Sequence, residues 1–387
     1  MSHAVPLTLD TTVPWTWWRE QRLPAAGLHL DSAAAGRSSR ATLAAVAAHA
    51  EREATEGAYV ATASAAPVLS AGQAEVARLL AVPPAGVAFI ASAEAGLATL
   101  LRIWPLAEGD TVAVARCEWG PNLDAFAARG LRLTEIWDRG DGAIDLASLE
   151  RMLAKDRPAL VHLTQVTSHR GLVQPVAEAA ARCRAAGVPL WVDAAQALGH
   201  VDTACGADAI YSTSRKWLTG PRGVGVLGIA EPWWDRLRIS PSNMAASVRP
   251  ADASPVWFLA AGEANVAAWI GLCNAVAEFT AAGPAAVWAR LAETGRQARE
   301  ALAGVPGWAI ADAPGTASAI VALRATGGQD ITQTRTRLLS EHGIVTTAGA
   351  IQRAPREMTE PLLRISPHVD TTPDDLTRLR AALGELS

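Results

Sequence analysis

An α/β fold is what the sequence predicts: a larger domain built on a mainly parallel sheet of seven strands flanked by helices, followed by a smaller α+β domain. Three observations predict it. Seven short apolar runs, bounded by turns, alternate with helical stretches from Val87 to Ile229. Runs of that length without polar alternation read as strands buried on both faces. From Pro175 to Asp193 one helix-to-strand unit is complete, with Pro175 in a first helical turn, Gly187 ending the helix and Pro189–Val192 as the strand. After Asn265 a long helix and a new set of shorter elements begin.

The elements follow in order. Residues 1–27 are an N-terminal arm, marked by Trp15, Trp17 and Trp18; residues 28–265 form the larger domain and residues 266–387 the smaller one. From Leu28-His-Leu-Asp-Ser32 the chain enters an alanine-rich helix, and Ser70-Ala-Gly-Gln73 has the spacing of a capping box that opens another. The sheet strands are Val87–Ile90, Thr111–Ala115, Leu131–Ile136, Ala159–Thr164, Pro189–Val192, Asp208–Tyr211 and Val224–Ile229. Ser318–Leu323, Ile344–Thr347 and Leu362–Ser366, closed by a helix over Pro373–Leu386, belong to the smaller domain.

Composition narrows the function classes. Half of the 387 residues are apolar and 19% charged, the balance of a globular enzyme rather than a disordered chain. A net charge of -4 with mixed signs offers no basic field to nucleic acid or an anionic membrane, so neither partner is expected. There is no transmembrane-length apolar run, and Met1 to Asp10 lacks the pattern of a signal peptide, so a cytoplasmic location is expected. Cys117, Cys183, Cys205 and Cys273 show neither paired nor metal-ligand spacing. No metal is expected.

Among 34 basic residues only Lys155 and Lys216 are lysines. Lys155, in Ala154-Lys-Asp-Arg-Pro158, reads as an exposed turn; Lys216 sits among Tyr211, Trp217 and Leu218. It follows Asp193-Ala-Ala-Gln196, whose aspartate lies at a strand's carboxyl end, where open α/β sheets bind ligands. Ser92-Ala-Glu-Ala95 opens a helix directly after a strand, so the N–H groups around Ala93 and Glu94 offer an anion site, with Thr213 and Arg215 beside the lysine to complete it. A lysine for an aldehyde, a carboxylate for a ring nitrogen and donors for a phosphate together meet the needs of pyridoxal phosphate, bound as a Schiff base on Lys216 and acting at the α-carbon of an amino acid.

These residues carry a resemblance. Leu30-Asp-Ser-Ala-Ala34, Ala91-Ser-Ala-Glu-Ala95, Cys117-Glu-Trp-Gly-Pro-Asn122, Trp191-Val-Asp-Ala-Ala-Gln196 and Thr213-Ser-Arg-Lys-Trp-Leu-Thr-Gly-Pro-Arg-Gly223 resemble the class V aminotransferases, fold-type I pyridoxal phosphate enzymes that include cysteine desulfurases, kynureninases and isopenicillin N epimerases. The resemblance runs from about Leu28 to Leu386 and implies the fold of those transferases and a homodimer. It implies that Asp193 pairs with the ring nitrogen, that Gln196 and Ser168 approach the phenolate oxygen, that Trp119 stacks on the ring and that Lys216 is the catalytic amine. Arg364, in Leu362-Leu-Arg-Ile-Ser366, matches the clamp on the substrate α-carboxylate, its other reading being a strand-end arginine in a surface pair. Ala34 and Tyr59 join it as substrate-binding candidates.

Two departures refine the reaction. Desulfurases carry a loop cysteine that attacks substrate sulfur, and the matching stretch, Thr346 to Pro361, has none. The stretch that lends a phosphate contact across the family's dimer reads Gly262-Glu-Ala-Asn265, and the carboxylate of Glu263 cannot donate to phosphate. Within the family the pattern is most similar to the C–S lyases of ergothioneine biosynthesis, which imply β-elimination of hercynylcysteine sulfoxide to a sulfenate, pyruvate and ammonia. Desulfurase-like, epimerase-like or aminotransferase activity on another amino acid is the alternative, and from other classes a non-catalytic binding protein or a nicotinamide-dependent dehydrogenase. Gly223-Val-Gly-Val-Leu-Gly228 fits a dinucleotide fingerprint in letters only and reads as the strand leaving the lysine loop. His162 and His169 are general acids or core hydrogen-bonders, and the 14 tryptophans are packing or faces for a quaternary ammonium group.

Overall fold

The computed structural model describes residues 15–240, 253–260, 262–313 and 315–386; the start of the arm, Met1–Asp10 included, lies outside the described residues. In chain order the larger part comprises α1 (Thr16–Glu20), β1 (Leu28–His29), α2 (Arg40–Glu56), α3 (Ala58–Leu80), β2 (Val87–Ile90), α4 (Ala93–Ile103), β3 (Thr111–Ala115), α5 (Gly120–Ala128), β4 (Arg132–Ile136), α6 (Leu146–Lys155), β5 (Leu160–Thr164), α7 (Val176–Ala186), β6 (Leu190–Asp193), β7 (Ala209–Thr213) and β8 (Gly225–Ile229). There follow α8 (Val266–Ala282), α9 (Pro284–Leu302), β9 (Trp308–Ile310), β10 (Val321–Ala325), α10 (Ile331–His342), β11 (Ile344–Val345), β12 (Thr347–Gly349), β13 (Leu362–Ile365) and α11 (Pro373–Glu385).

All seven expected strands form one sheet in the order β2-β8-β7-β6-β5-β3-β4. Only β8 runs against its neighbours, β2 and β7; the pairs among β3 to β7 are parallel. Strands β2, β5, β6, β7 and β8 are buried along their whole length because helices cover both faces. Pleating sends alternate residues to opposite layers: Ala113 and Ala115 join the core that includes α3, α7 and α8, while Val112 and Val114 join the one that includes α4 and α5. No single described helix is long and apolar enough to cross a membrane.

Two expectations about helices change. Ser70 does not open a helix but lies inside α3, which buries Ala61, Ala65, Gly72 and Val76. Packing of that face on α8 carries the helix through the polar residues, and Gln73 instead donates to the Val87 carbonyl at 2.7 Å. Pro175 is the cap residue before α7 rather than within its first turn; Gly187, at φ +66°, ends the helix as expected.

The cores also divide differently from the expected boundary at residue 265. Helix α8 packs on α2 and α3, and its Leu272, Val276 and Phe279 belong to the larger core. Along α9, Val287 and Leu291 face the larger core and Ala298 and Leu302 the smaller, so the division falls within that helix. Conversely, β1 leaves the arm to pair in parallel with β11, taking Leu28 and Leu30 into the smaller core. The four-stranded sheet there, β12-β13-β10-β9, is antiparallel. Chain segments from both ends of the sequence thus meet over the carboxyl edge of the large sheet.

Candidate active site

The carboxyl ends of β5, β6 and β7, the start of α4 and α5 and the end of the small sheet enclose a cleft of about 300 Å³. Topology explains its place, since parallel strands deliver their last residues to one edge. Ala34, Ala93, Glu94, Trp119, Ser168, Asp193, Gln196, Thr213, Arg215, Lys216 and Arg364 all line it. Tyr59 does not: Gly57, at φ +94°, turns the chain between α2 and α3 and leaves the Tyr59 ring 91% exposed at an outward corner. Lys155 ends α6 at the surface.

Asp193 is held by two neutral donors. Its Oδ1 accepts from the Ala195 N–H at 2.8 Å and its Oδ2 from Asn122 Nδ2 at 2.9 Å. Burial raises its pKa, with the nearby Glu118 acting in the same direction, while Asn122, Ala195 and Lys216 oppose. A carboxylate so placed lacks a cation in direct contact. Behind it, Asn122 also donates to Glu118 Oε1 at 2.9 Å, and Glu118 Oε2 lies 3.0 Å from His162 Nδ1. His162 Nε2 lies 2.9 Å from the Tyr211 hydroxyl. Burial pushes the Tyr211 phenol far up, so it keeps its proton. Burial alone would raise Glu118 too, but His162, Thr164 and Asn122 outweigh it and keep the acid ionised. His162 is therefore a core hydrogen-bonder. So is His169, whose Nε2 lies 2.9 Å from Glu357 Oε2 outside the cleft lining.

Lys216 sits in the turn after β7, where Thr219 N–H reaches the Lys216 carbonyl at 3.0 Å and Thr219 adopts φ +56°. Burial brings its amine down to about 7, against the attraction of Asp193 and with help from Arg215, Arg364 and Arg353. A neutral amine near pH 7 is a nucleophile and a base, whereas an ordinary lysine is neither. The loop is anchored from below. Trp217 Nε1 donates to Gln196 Oε1 at 2.9 Å, and His200 stacks on Trp217 with centroids 3.8 Å apart. Trp18 of the arm stacks on His368 at 5.3 Å and lies under the Arg22 guanidinium at 4.0 Å, so this arm tryptophan is packing.

The remaining groups outline a ligand. Ser92 caps α4 by accepting from Ala95 N–H at 3.1 Å, which leaves the Ala93 and Glu94 N–H groups, without intrahelical acceptors, at the cleft with Thr213 and Arg215. Gln196 Nε2 spends one hydrogen on the Ala33 carbonyl at 2.9 Å and keeps the other. Ser168 Oγ and Arg364 Nε are buried and have no partner among the described residues. Arg364 is 2% exposed, which removes its reading as a surface pair. Its Nη1 donates to the Ser168 carbonyl at 3.0 Å and its Nη2 to Asp31 Oδ1 at 3.2 Å, fixing the fork. Together these are an anion site, an unmatched buried carboxylate, a low-pKa amine and a rigid guanidinium.

Asn122, Thr164, Tyr211 and Arg353 also line the cleft and were not among the expected site residues. Asn122 carried a signal, standing in the same quoted stretch, Cys117 to Asn122, as the expected Trp119. Arg353 carried none. None of Gly262 to Asn265 lines the cleft; Asn265 caps α8 by accepting from Ala268 N–H at 3.0 Å, and Glu263 is exposed. All four cysteines are buried away from the cleft lining, and no metal-ligating cluster occurs among the described residues.

A family model for aminotransferase class-V matches residues 28–379. A probable hercynylcysteine sulfoxide lyase of Mycobacterium tuberculosis (strain CDC 1551 / Oshkosh) is 48% identical over 366 residues, covering 95% of this chain and 92% of that protein. A cysteine desulfurase of Dickeya dadantii (strain 3937) is 33% identical over 210 residues, 51% of each chain. The solved structure of a C-DES mutant with glycine covalently linked to its PLP cofactor superposes with a TM-score of 0.85, covering 97% of this chain and all of that one at 17% identity.

Proposed function

The chain belongs to the class V aminotransferase family, and from that premise we propose that it is a pyridoxal 5′-phosphate-dependent C–S lyase. Its reaction is β-elimination of hercynylcysteine sulfoxide in ergothioneine biosynthesis, releasing a sulfenate, pyruvate and ammonia. The observation that carries this reading is the 48% identity, over nearly the whole chain, to a probable hercynylcysteine sulfoxide lyase. A cleft without a cysteine agrees with it, because a sulfenate leaves without a thiol to attack the sulfur.

The unmatched groups fit the cofactor. Ala93 and Glu94 N–H, Thr213 and Arg215 would hold its phosphate, Asp193 its ring nitrogen, Ser168 and Gln196 its ring oxygen, and Trp119 would cover the ring. When bound, pyridoxal phosphate supplies an electrophilic carbon for the substrate amine and a ring that accepts the electrons set free at the α-carbon. Arg364 grips the α-carboxylate with a fork already locked by Ser168 and Asp31, fixing the α-carbon for Lys216. The Lys216 amine takes the α-proton, and its pKa, lowered to about 7, leaves a large fraction of it as free base at neutral pH. The bond between Cβ and sulfur then breaks with its electron pair on the sulfoxide group. Water completes the release of pyruvate and ammonia.

Purified protein should release pyruvate and ammonia in equal amounts from hercynylcysteine sulfoxide with no keto acid present. Turnover that requires a keto acid would replace this reading by transamination. The rate of cofactor loading should rise with pH and reach half its maximum near 7, following the neutral fraction of Lys216. A midpoint near the ordinary lysine value of about 10 would show that the loop does not depress this amine.

The same reading includes a cytoplasmic homodimer. Tyr59, Val60 and Val68 support the dimer, being large apolar residues left exposed on α3. Tyr59 would serve substrate only from across such an interface; a monomer in sedimentation would remove it from the site.

A further inference from the structure

Arg353 is the one residue between Thr346 and Pro361 that lines the cleft, and no described residue forms an ion pair with it. It sits at the end of the short turn Ile351–Arg353 that follows β12. Its guanidinium makes no hydrogen bond and no ion pair with any described residue. It lies over the Trp119 indole, 5.5 Å from the ring centroid, and its stem passes beside Gly349. The acid whose field reaches it is Asp31, and that carboxylate is already engaged: Oδ1 accepts from Arg364 Nη2 at 3.2 Å and from Thr347 Oγ1 at 2.6 Å. A partly buried cation with no counterion is costly unless a ligand supplies the anion.

A count of charges indicates which anion. Among the described residues three guanidiniums line the cleft: Arg215, Arg353 and Arg364. Arg215 stands beside the anion site at the start of α4, and Arg364 is committed to the α-carboxylate. Arg353 is left for a third anionic oxygen. Its field acts on both Lys216 and Arg364, the two groups that flank the α-carbon, which places it near the reacting atoms rather than at the mouth.

We propose that Arg353 binds the oxygen on the substrate sulfur and stabilises the sulfenate as the carbon–sulfur bond breaks. This rests on the lyase reading above. In the ground state the sulfoxide oxygen carries partial charge; after heterolysis the S–O group holds the electron pair of the broken bond and a full negative charge. A guanidinium fixed over an indole before the reaction needs no reorganisation to meet that charge, and it favours the transition state over bound substrate. It would thereby select sulfoxides over thioethers with the same substituent.

The test compares Arg353→Gln and Arg353→Lys with the natural enzyme on S-(2-nitrophenyl)cysteine sulfoxide and on the matching thioether, neither of which has a carboxylate beyond the amino acid. Arg353→Gln should lose on the order of 10²–10³-fold in kcat on the sulfoxide, as for removal of an oxyanion donor, and less than about tenfold on the thioether, where only its field on Lys216 is lost. Arg353→Lys should recover part of the loss. A thioether carrying a ring carboxylate forms a third arm, and a loss confined to it would make Arg353 an anchor for a distal group, overturning the proposal. So would equal losses on sulfoxide and thioether, or no loss at all.

Binding gives a readout independent of turnover. Titration calorimetry of the holoenzyme with benzenesulfinate, a stable mimic of the leaving group, should show affinity reduced about tenfold or more in Arg353→Gln, the scale of one charge-assisted hydrogen bond. Unchanged affinity would refute the contact. If the natural enzyme released pyruvate from neither substrate, the lyase reading would fall, and the sulfinate titration would still decide whether Arg353 binds a sulfur-borne oxygen.

Discussion

Lys216→Ala should abolish pyruvate release, lowering kcat on the order of 10⁴-fold, the upper end for loss of a group that transfers the proton in the rate-limiting step. The same variant should lose the yellow colour that borohydride bleaches in the natural protein, because on this proposal the Lys216 amine is what joins the cofactor's aldehyde. Lys155→Ala should retain colour and activity: that residue ends α6 at the surface, and these two are the chain's only lysines. Colour retained in the first variant and lost in the second would reverse the assignment. Misfolding does not offer another explanation. Burial holds the Lys216 amine at about 7, below its unfolded value of about 10.4, so between those values the unfolded chain binds more protons and this residue costs stability, most at low pH. Asp193 keeps its donors Asn122 and Ala195 without the lysine. The variant should therefore unfold at the same temperature as the natural protein or a higher one, and gain most below pH 7.

Local sequence made much of this legible, and the reason differs from element to element. Each sheet strand is a four- or five-residue stretch between turns, and those in the middle of the sheet are buried along their whole length because helices cover both faces. Asp193, Gln196, Thr213, Arg215 and Lys216 were readable because a strand end and the turn after it set their positions within a few residues. What failed depends on contacts distant in sequence. Ser70 and Gln73 have the spacing of a cap, yet α3 continues because its small residues pack on α8, nearly 200 residues later. The same packing moves α8 into the larger core, although composition changes where it begins. Tyr59 faces away from the cleft of its own chain, and no local signal says which way a helix corner will face. Arg353 is the hardest case, since its meaning comes from the absence of a counterion, and only three-dimensional packing reveals an absence.

Asp193→Ala is expected to retain the fold and bind cofactor, yet to lose about 10²–10³-fold in kcat, the magnitude for a preorganised electrostatic group acting on charge that develops in the reaction. In the proposed reaction the carboxylate would keep a proton on the ring nitrogen of bound pyridoxal phosphate, so that electrons from the α-carbon have somewhere to go. Two neutral donors hold it in place without neutralising it, and burial with Glu118 close by leaves it seeking positive charge. The ring nitrogen of bound pyridoxal phosphate would supply that charge. The chain behind it gives a graded test. Asn122→Ala removes the donor to Oδ2, which should push the Asp193 pKa higher still and move the acid limb of the kcat profile to higher pH, while costing less than loss of the carboxylate at the plateau. The sign follows from the hydrogen bond, which favours the ionised form, so its loss makes protonation easier and activity disappears sooner as pH falls. An unshifted limb in Asn122→Ala, or a kcat within tenfold of the natural enzyme in Asp193→Ala, would separate this carboxylate from the chemistry and leave it as a structural cap at the end of β6.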